Sequence, residues 1–135
     1  MTITPQLLAA SALAALVLYG LAFGGGLPSA YARRRCQGRA WRNAFPTASK
    51  AEIRDYLSLF ADAFAVRDTH KLQFRPDDTI LSIYRAWYRY PWMADALELE
   101  TLAEAIETRH GLRLENLWTD DLTLGQLFVQ TRRPD

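Results

Sequence analysis

No charged side chain precedes Arg33, and within that stretch Leu7 to Phe23 (LLAASALAALVLYGLAF) is continuously apolar or small, without a proline. No other feature narrows the possible folds as far. A helix rises about 1.5 Å per residue, so the 21 residues from Leu7 to Leu27 cover roughly 30 Å, the thickness of a bilayer's hydrocarbon. In lipid only a helix satisfies its own backbone polar groups across a single span, and an Ala/Leu-rich run suits that state. Pro5 lies at the start, where a missing N–H costs little, and Gly24–Gly26 with Pro28 make a natural stop. The pattern therefore predicts a transmembrane anchor over residues 1–27. A cleavable leader would want a basic amino-terminal region, which this chain lacks, and Arg33–Arg35 directly after Ala30-Tyr31-Ala32 would hinder export.

The charges that follow set the expected topology. Arg33, Arg34, Arg35, Arg39 and Arg42 all lie C-terminal to the apolar run, so the positive-inside rule places the rest of the chain in the cytoplasm of a single-pass membrane protein. Residues 28–47 then read as a basic juxtamembrane linker, with these arginines and Trp41 at anionic headgroups and membrane lipid as a partner. Cys36, the sole cysteine, is a candidate for S-acylation or an unmodified reduced thiol. It excludes an intramolecular disulfide and any zinc site built from several thiolates. Residues 1–45 carry five arginines and no acid, whereas residues 46–135 hold the other 11 basic residues against all 15 acids, a net −4. That acidic remainder argues against nucleic acid as a partner.

Residues 48–135 carry helical signals. Ser49-Lys50-Ala51-Glu52 has capping-box spacing, and Ile53, Tyr56, Leu57, Phe60 and Phe64 form an apolar stripe predicting a helix to about Val66. Arg75-Pro76-Asp77-Asp78-Thr79 is a turn cluster, and the run Ile80–Tyr84 cannot be assigned by periodicity. The segment from Tyr84 to Trp92 interleaves aromatic rings with Arg85 and Arg89. Asp95 begins a further helix with Leu99, Leu102, Ala103 and Ile106 inward, closed by Gly111, whose freedom at positive φ suits a helix end. Thr123-Leu124-Gly125-Gln126 repeats the capping-box spacing before a last short helix with Leu127 and Phe128 facing inward.

The order of long helix, long loop, acidic helix opening on Asp-x-Leu, Gly-bounded loop and short Thr-capped helix resembles the acyl carrier protein family, most closely from Ala94 to Phe128. The family opens its second helix on Asp-Ser-Leu and continues with acids outward and Leu/Ile inward. Here the text reads Asp95-Ala96-Leu97-Glu98-Leu99-Glu100-Thr101-Leu102-Ala103-Glu104-Ala105-Ile106-Glu107. Leu114 falls eight residues after Ile106, and Leu122 eight after Leu114, spacings that suit the family's loop into its final helix. The expected fold is thus all-α, a transmembrane helix plus an acyl-carrier-like bundle of three or four helices.

The resemblance also marks a departure. Carriers attach 4′-phosphopantetheine through the serine hydroxyl at the position of Ala96, and Ala96 has no oxygen, so no cofactor is expected. Ser82 lies in the right connection but lacks the preceding Asp. The function implied is a membrane-anchored, non-enzymatic interaction protein. Asp95, Glu98, Glu100, Glu104 and Glu107 would offer an anionic face to a partner with a basic docking patch, such as an acyl-thioester enzyme or a membrane complex. Trp87, Tyr88 and Trp92 join the acids as partner-binding candidates, by the weight aromatic residues carry at interfaces. Two alternatives stand beside it: a true acyl or peptidyl carrier loaded on an unusual serine, and a small structural subunit of a membrane complex. Catalytic and metal sites are not expected. His70 and His110 stand apart, and no nucleophile elbow, phosphate-binding glycine loop or metal spacing occurs.

Overall fold

The computed structural model describes residues 6, 9–15, 27–87 and 96–132. From residue 27 onward the helices are α1 (Ser29–Ala32), α2 (Gly38–Ala44), α3 (Lys50–Ala63), a 3-10 helix (Asp68–Gln73), α4 (Ile80–Trp87), α5 (Leu97–His110), α6 (Leu114–Leu117) and α7 (Leu124–Arg132). The described residues contain no strand, only an isolated antiparallel bridge between Thr79 and Thr123.

The amino-terminal expectation is corrected. Among the described residues no helix is long and apolar enough to cross a membrane. The helical stretch over residues 9–15 is exposed, and its seven residues rise about 10 Å, a third of a bilayer's hydrocarbon. The rest of Leu7–Phe23 lies outside the described residues. The transmembrane helix and the single-pass membrane localisation are thereby overturned.

Residues 28–47 do not behave as a juxtamembrane linker either. Trp41 is fully buried, its indole N–H donating to the Phe74 carbonyl at 2.9 Å, with Phe45, Tyr56 and Phe128 rings around it. Tyr31 is buried against Phe74, and the Gln37 amide donates to the Leu72 carbonyl at 2.7 Å. A half-apolar aromatic side chain satisfies its one polar atom and buries the remainder, which favours a protein interior over solvent. Residues 28–45 form a strap over α3, the 3-10 helix and α7, sharing their core.

Helix α3 is the central element. Its capping box forms as expected, Glu52 N–H to Ser49 Oγ at 3.0 Å and Ser49 N–H to Glu52 Oε1 at 3.4 Å. Ile53, Tyr56, Leu57, Phe60 and Phe64 are all buried. The helix stops at Ala63, short of Val66, because Ala65 turns left-handed (φ 55°). The Ala65 N–H then reaches the Asp62 carbonyl and the Val66 N–H the Ala61 carbonyl, the paired bonds of a Schellman close with Val66 buried behind it. An L side chain is strained there, so the periodicity ran past the true end.

The unassigned run at Ile80 is helical, with Ile80, Ile83 and Tyr84 buried. Thr79 starts it, its Oγ1 accepting the Ser82 N–H at 3.2 Å. The turn before α4 and the turn before α7 are stitched together by Ile80 N–H to Leu122 O, Leu124 N–H to Asp78 O and Gly125 N–H to Pro76 O, at 2.8–3.0 Å. A Cβ on Gly125 would stand 2.9 Å from the Pro76 oxygen, so the glycine is required by that approach. The second capping box also forms, Gln126 N–H to Thr123 Oγ1 at 3.1 Å and Thr123 N–H to Gln126 Oε1 at 3.0 Å.

Asp78 ties the strap to these turns. Its carboxylate accepts both guanidinium nitrogens of Arg34, at 2.6 and 3.0 Å, and the Arg75 N–H at 2.7 Å. Arg34 also lies 4.7 Å from the Tyr31 ring centre, and its pairing with Asp78 holds its proton more tightly than usual.

Two outcomes follow for urea unfolding. Trp41→Ala is expected to lose about 3–5 kcal/mol, the cost of emptying a core aromatic site, where a residue in a solvated linker would lose almost nothing. Ala65→Gly is expected to gain about 0.5–1 kcal/mol by relieving the left-handed strain. An unchanged midpoint in either variant contradicts the packing described.

Candidate functional site

Helix α5 carries the acids expected to meet a partner. Leu102 and Ile106 point into the core, while Glu100, Glu104 and Glu107 are exposed and Glu98 is partly buried. Leu99 and Ala103, expected inward, are only partly buried, because the neighbour they face is the short helix α6 and not a full-length partner helix. Between α5 and α6 runs a shallow groove of two joined parts, about 200 and 300 Å³. Leu99, Ala103, Leu114 and Trp118 give it apolar walls, and Glu100, Glu104, Glu107 and Glu115 ring it. Among the described residues Arg113 is the single cation lining it, loosely paired with Glu115 at 3.9 Å.

At the amino end of α5, Ala96 is the N-cap in the left-handed conformation (φ 62°), without a side-chain cap. Its N–H donates to the Tyr84 hydroxyl at 2.8 Å, linking α4 to α5. The next residue, Leu97, is 58% exposed, so an apolar side chain stands in solvent beside the alanine methyl. Asp95, Tyr88 and Trp92 lie outside the described residues. Trp87 is partly buried, its ring 6.0 Å from Phe64, which makes it the edge of the core. Ser82 is exposed and accepts the Thr79 hydroxyl proton at 2.6 Å.

The five arginines after the apolar run separate. Arg34 is held by Asp78, while Arg33 and Arg35 are exposed. Arg39 and Arg42 line a different opening, about 450 Å³, with Lys50 and Arg54 of α3. Neither Lys50 nor Arg54 stands out in the sequence. Their spacing of four puts them on one face of α3, but which face α2 meets is decided by Trp41 burying beneath it.

The two histidines lie on different elements. His70 sits in the 3-10 helix and His110 ends α5, in a cleft with Glu52, Tyr56, Arg109 and Arg132. Arg132 pairs with Glu52 at 3.0 Å, and Glu52, bonded first by the Ser49 N–H, is held below the usual carboxylate range. Among the described residues no group of three or more His, Cys, Asp or Glu could hold a metal ion. Comparison with family models, curated proteins and solved structures gives no match to this chain.

Burial pushes the His110 imidazole below 6.5, and the charge of Arg109 pushes the same way. Protonating His110 therefore costs more in the folded chain than in the unfolded one. Its contribution to stability is full above 6.5 and is lost as pH falls through its lower folded value. An NMR titration, assigned with His70→Gln, is expected to place the His110 midpoint below 6.5. Arg109→Gln should raise that midpoint only part of the way, since burial is the larger cause. A midpoint at or above 6.5 contradicts the geometry.

Proposed function

We propose that this chain is an acyl-carrier-like interaction module that docks a partner through α5 and its groove and carries no prosthetic arm. The observation that supports this reading is the groove itself: an apolar strip of Leu99, Ala103, Leu114 and Trp118 inside a ring of glutamates. Such a surface suits an apolar side chain set among Lys and Arg. The buried apolar contact supplies affinity, and the charges supply association rate and selectivity.

The missing arm follows from chemistry. A phosphodiester to 4′-phosphopantetheine needs a hydroxyl oxygen, and the Ala96 side chain ends in a methyl group. Recognition is then the remaining task, with no covalent step in this chain.

Restoring the oxygen tests the reading. Ala96→Ser, incubated with a phosphopantetheinyl transferase and coenzyme A, is expected to gain about 340 Da by intact mass, the added phosphopantetheine group, while the natural chain gains none. Adding Glu104→Lys and Glu107→Lys to that variant should slow its modification about tenfold or more at low salt, with the helical circular dichroism unchanged. An unmodified Ala96→Ser chain would remove the carrier-like reading. Modification indifferent to the two lysines would remove the acidic face from docking.

A further inference from the structure

The opening between α2 and α3 has the opposite chemistry from the α5 groove. Arg39 and Arg42 stand one turn apart on α2, Lys50 and Arg54 one turn apart on α3, and all four border the same concavity of about 450 Å³. Among the described residues no carboxylate borders it. Among the described residues none of the four makes an ion pair; Arg54 adds only a longer-range attraction to Asp68, whose nearer partners are Ser58 and Lys71. Four like charges around one concavity repel each other and concentrate counter-anions there. Ile53 and Leu72 contribute apolar surface to it, and Cys36 sits at its edge, exposed.

We propose that this opening binds an organic phosphate, its phosphoryl group among Arg39, Arg42, Lys50 and Arg54 and its apolar part on Ile53 and Leu72. Arginine's planar fork matches phosphate oxygens two at a time, and the lysine adds a mobile point charge. A dianion meets four cations better than a monocarboxylate does. The volume suits a small molecule, within the roughly 300–1,000 Å³ of typical ligand pockets, and an apolar wall rewards an ester over inorganic phosphate. The site shares no residue with the α5 groove and does not depend on the carrier-like reading.

Cys36 supplies the reporter, because it is the sole thiol of the chain. Its alkylation by neutral iodoacetamide is followed by intact mass on the full-length protein, with hexyl phosphate, inorganic phosphate or hexanol added. Hexyl phosphate is expected to slow the reaction saturably. Inorganic phosphate should need about tenfold higher concentration for the same protection, having no apolar contact, and hexanol should give none. In about 1 M sodium chloride, where screening shortens to about 3 Å, protection should weaken. Arg42→Glu with Arg54→Glu should abolish it. Arg39→Gln with Arg42→Gln, both exposed side chains on α2, should raise the half-protecting concentration about tenfold and serves if the charge-reversed chain does not fold. The proposal is overturned by absent protection, by protection that survives both double variants, or by a polyglutamate peptide protecting at lower concentration than hexyl phosphate. The last result would assign the opening to an acidic protein segment.

Discussion

Asp78 joins the strap, its own turn and the start of α7, pieces of chain drawn from both ends of the domain. Its carboxylate takes both nitrogens of the Arg34 guanidinium from the strap and the Arg75 amide from its own turn, while its backbone carbonyl takes the Leu124 N–H that opens α7. A two-pronged guanidinium–carboxylate pair fixes orientation as well as distance, and partial burial spares it much of the screening that weakens surface pairs. With Arg34 held, Tyr31 lies against Phe74 and Trp41 can insert between α3 and α7. With the turn held, Thr79 meets Thr123 and Gly125 can close on Pro76. Side chain and backbone of this one residue thus bridge the strap, the turn and the start of α7.

The two charged openings follow from how the strap is seated. Burying Trp41 on one side of α2 leaves Arg39 and Arg42 on the other, facing Lys50 and Arg54 on the first turns of α3. The chain thus gathers cations at one opening and glutamates along the α5 groove, although its net charge is only +1. Separated charge of this kind acts at short range on small regions, so the two surfaces can recognise different ligands without cancelling.

Much of the helical architecture was legible from residue spacing. The Ser49–Glu52 and Thr123–Gln126 boxes, the α3 stripe and the glycine after His110 all rest on contacts within a few residues, which local sequence specifies. The acids on α5 were legible for the same reason, since a helix displays its 3.6-residue period directly. The groove beside them was not, because Leu114 and Trp118 reach it only when α6 folds back across a loop. The left-handed alanines at 65 and 96 were hidden as well. Glycine usually announces such a turn, and here the surrounding packing imposes it on a residue that disfavours it.

The sequence alone determined the helices that open at Ser49 and Thr123 and the acidic helix ending before Gly111, where two helices would be capped, and that no hydroxyl stands at position 96. It also suggested a membrane span and a basic juxtamembrane linker, readings that treat residues 1–47 as separate from the rest. Only the tertiary structure decided that residues 28–45 belong to the core, that Arg34 answers Asp78, and that Arg39 and Arg42 share an opening with Lys50 and Arg54. Those outcomes depend on pairs far apart in sequence, 44 positions for Arg34 with Asp78 and more for Trp41 with Phe128, and composition or periodicity reports nothing about which distant partner a side chain will meet.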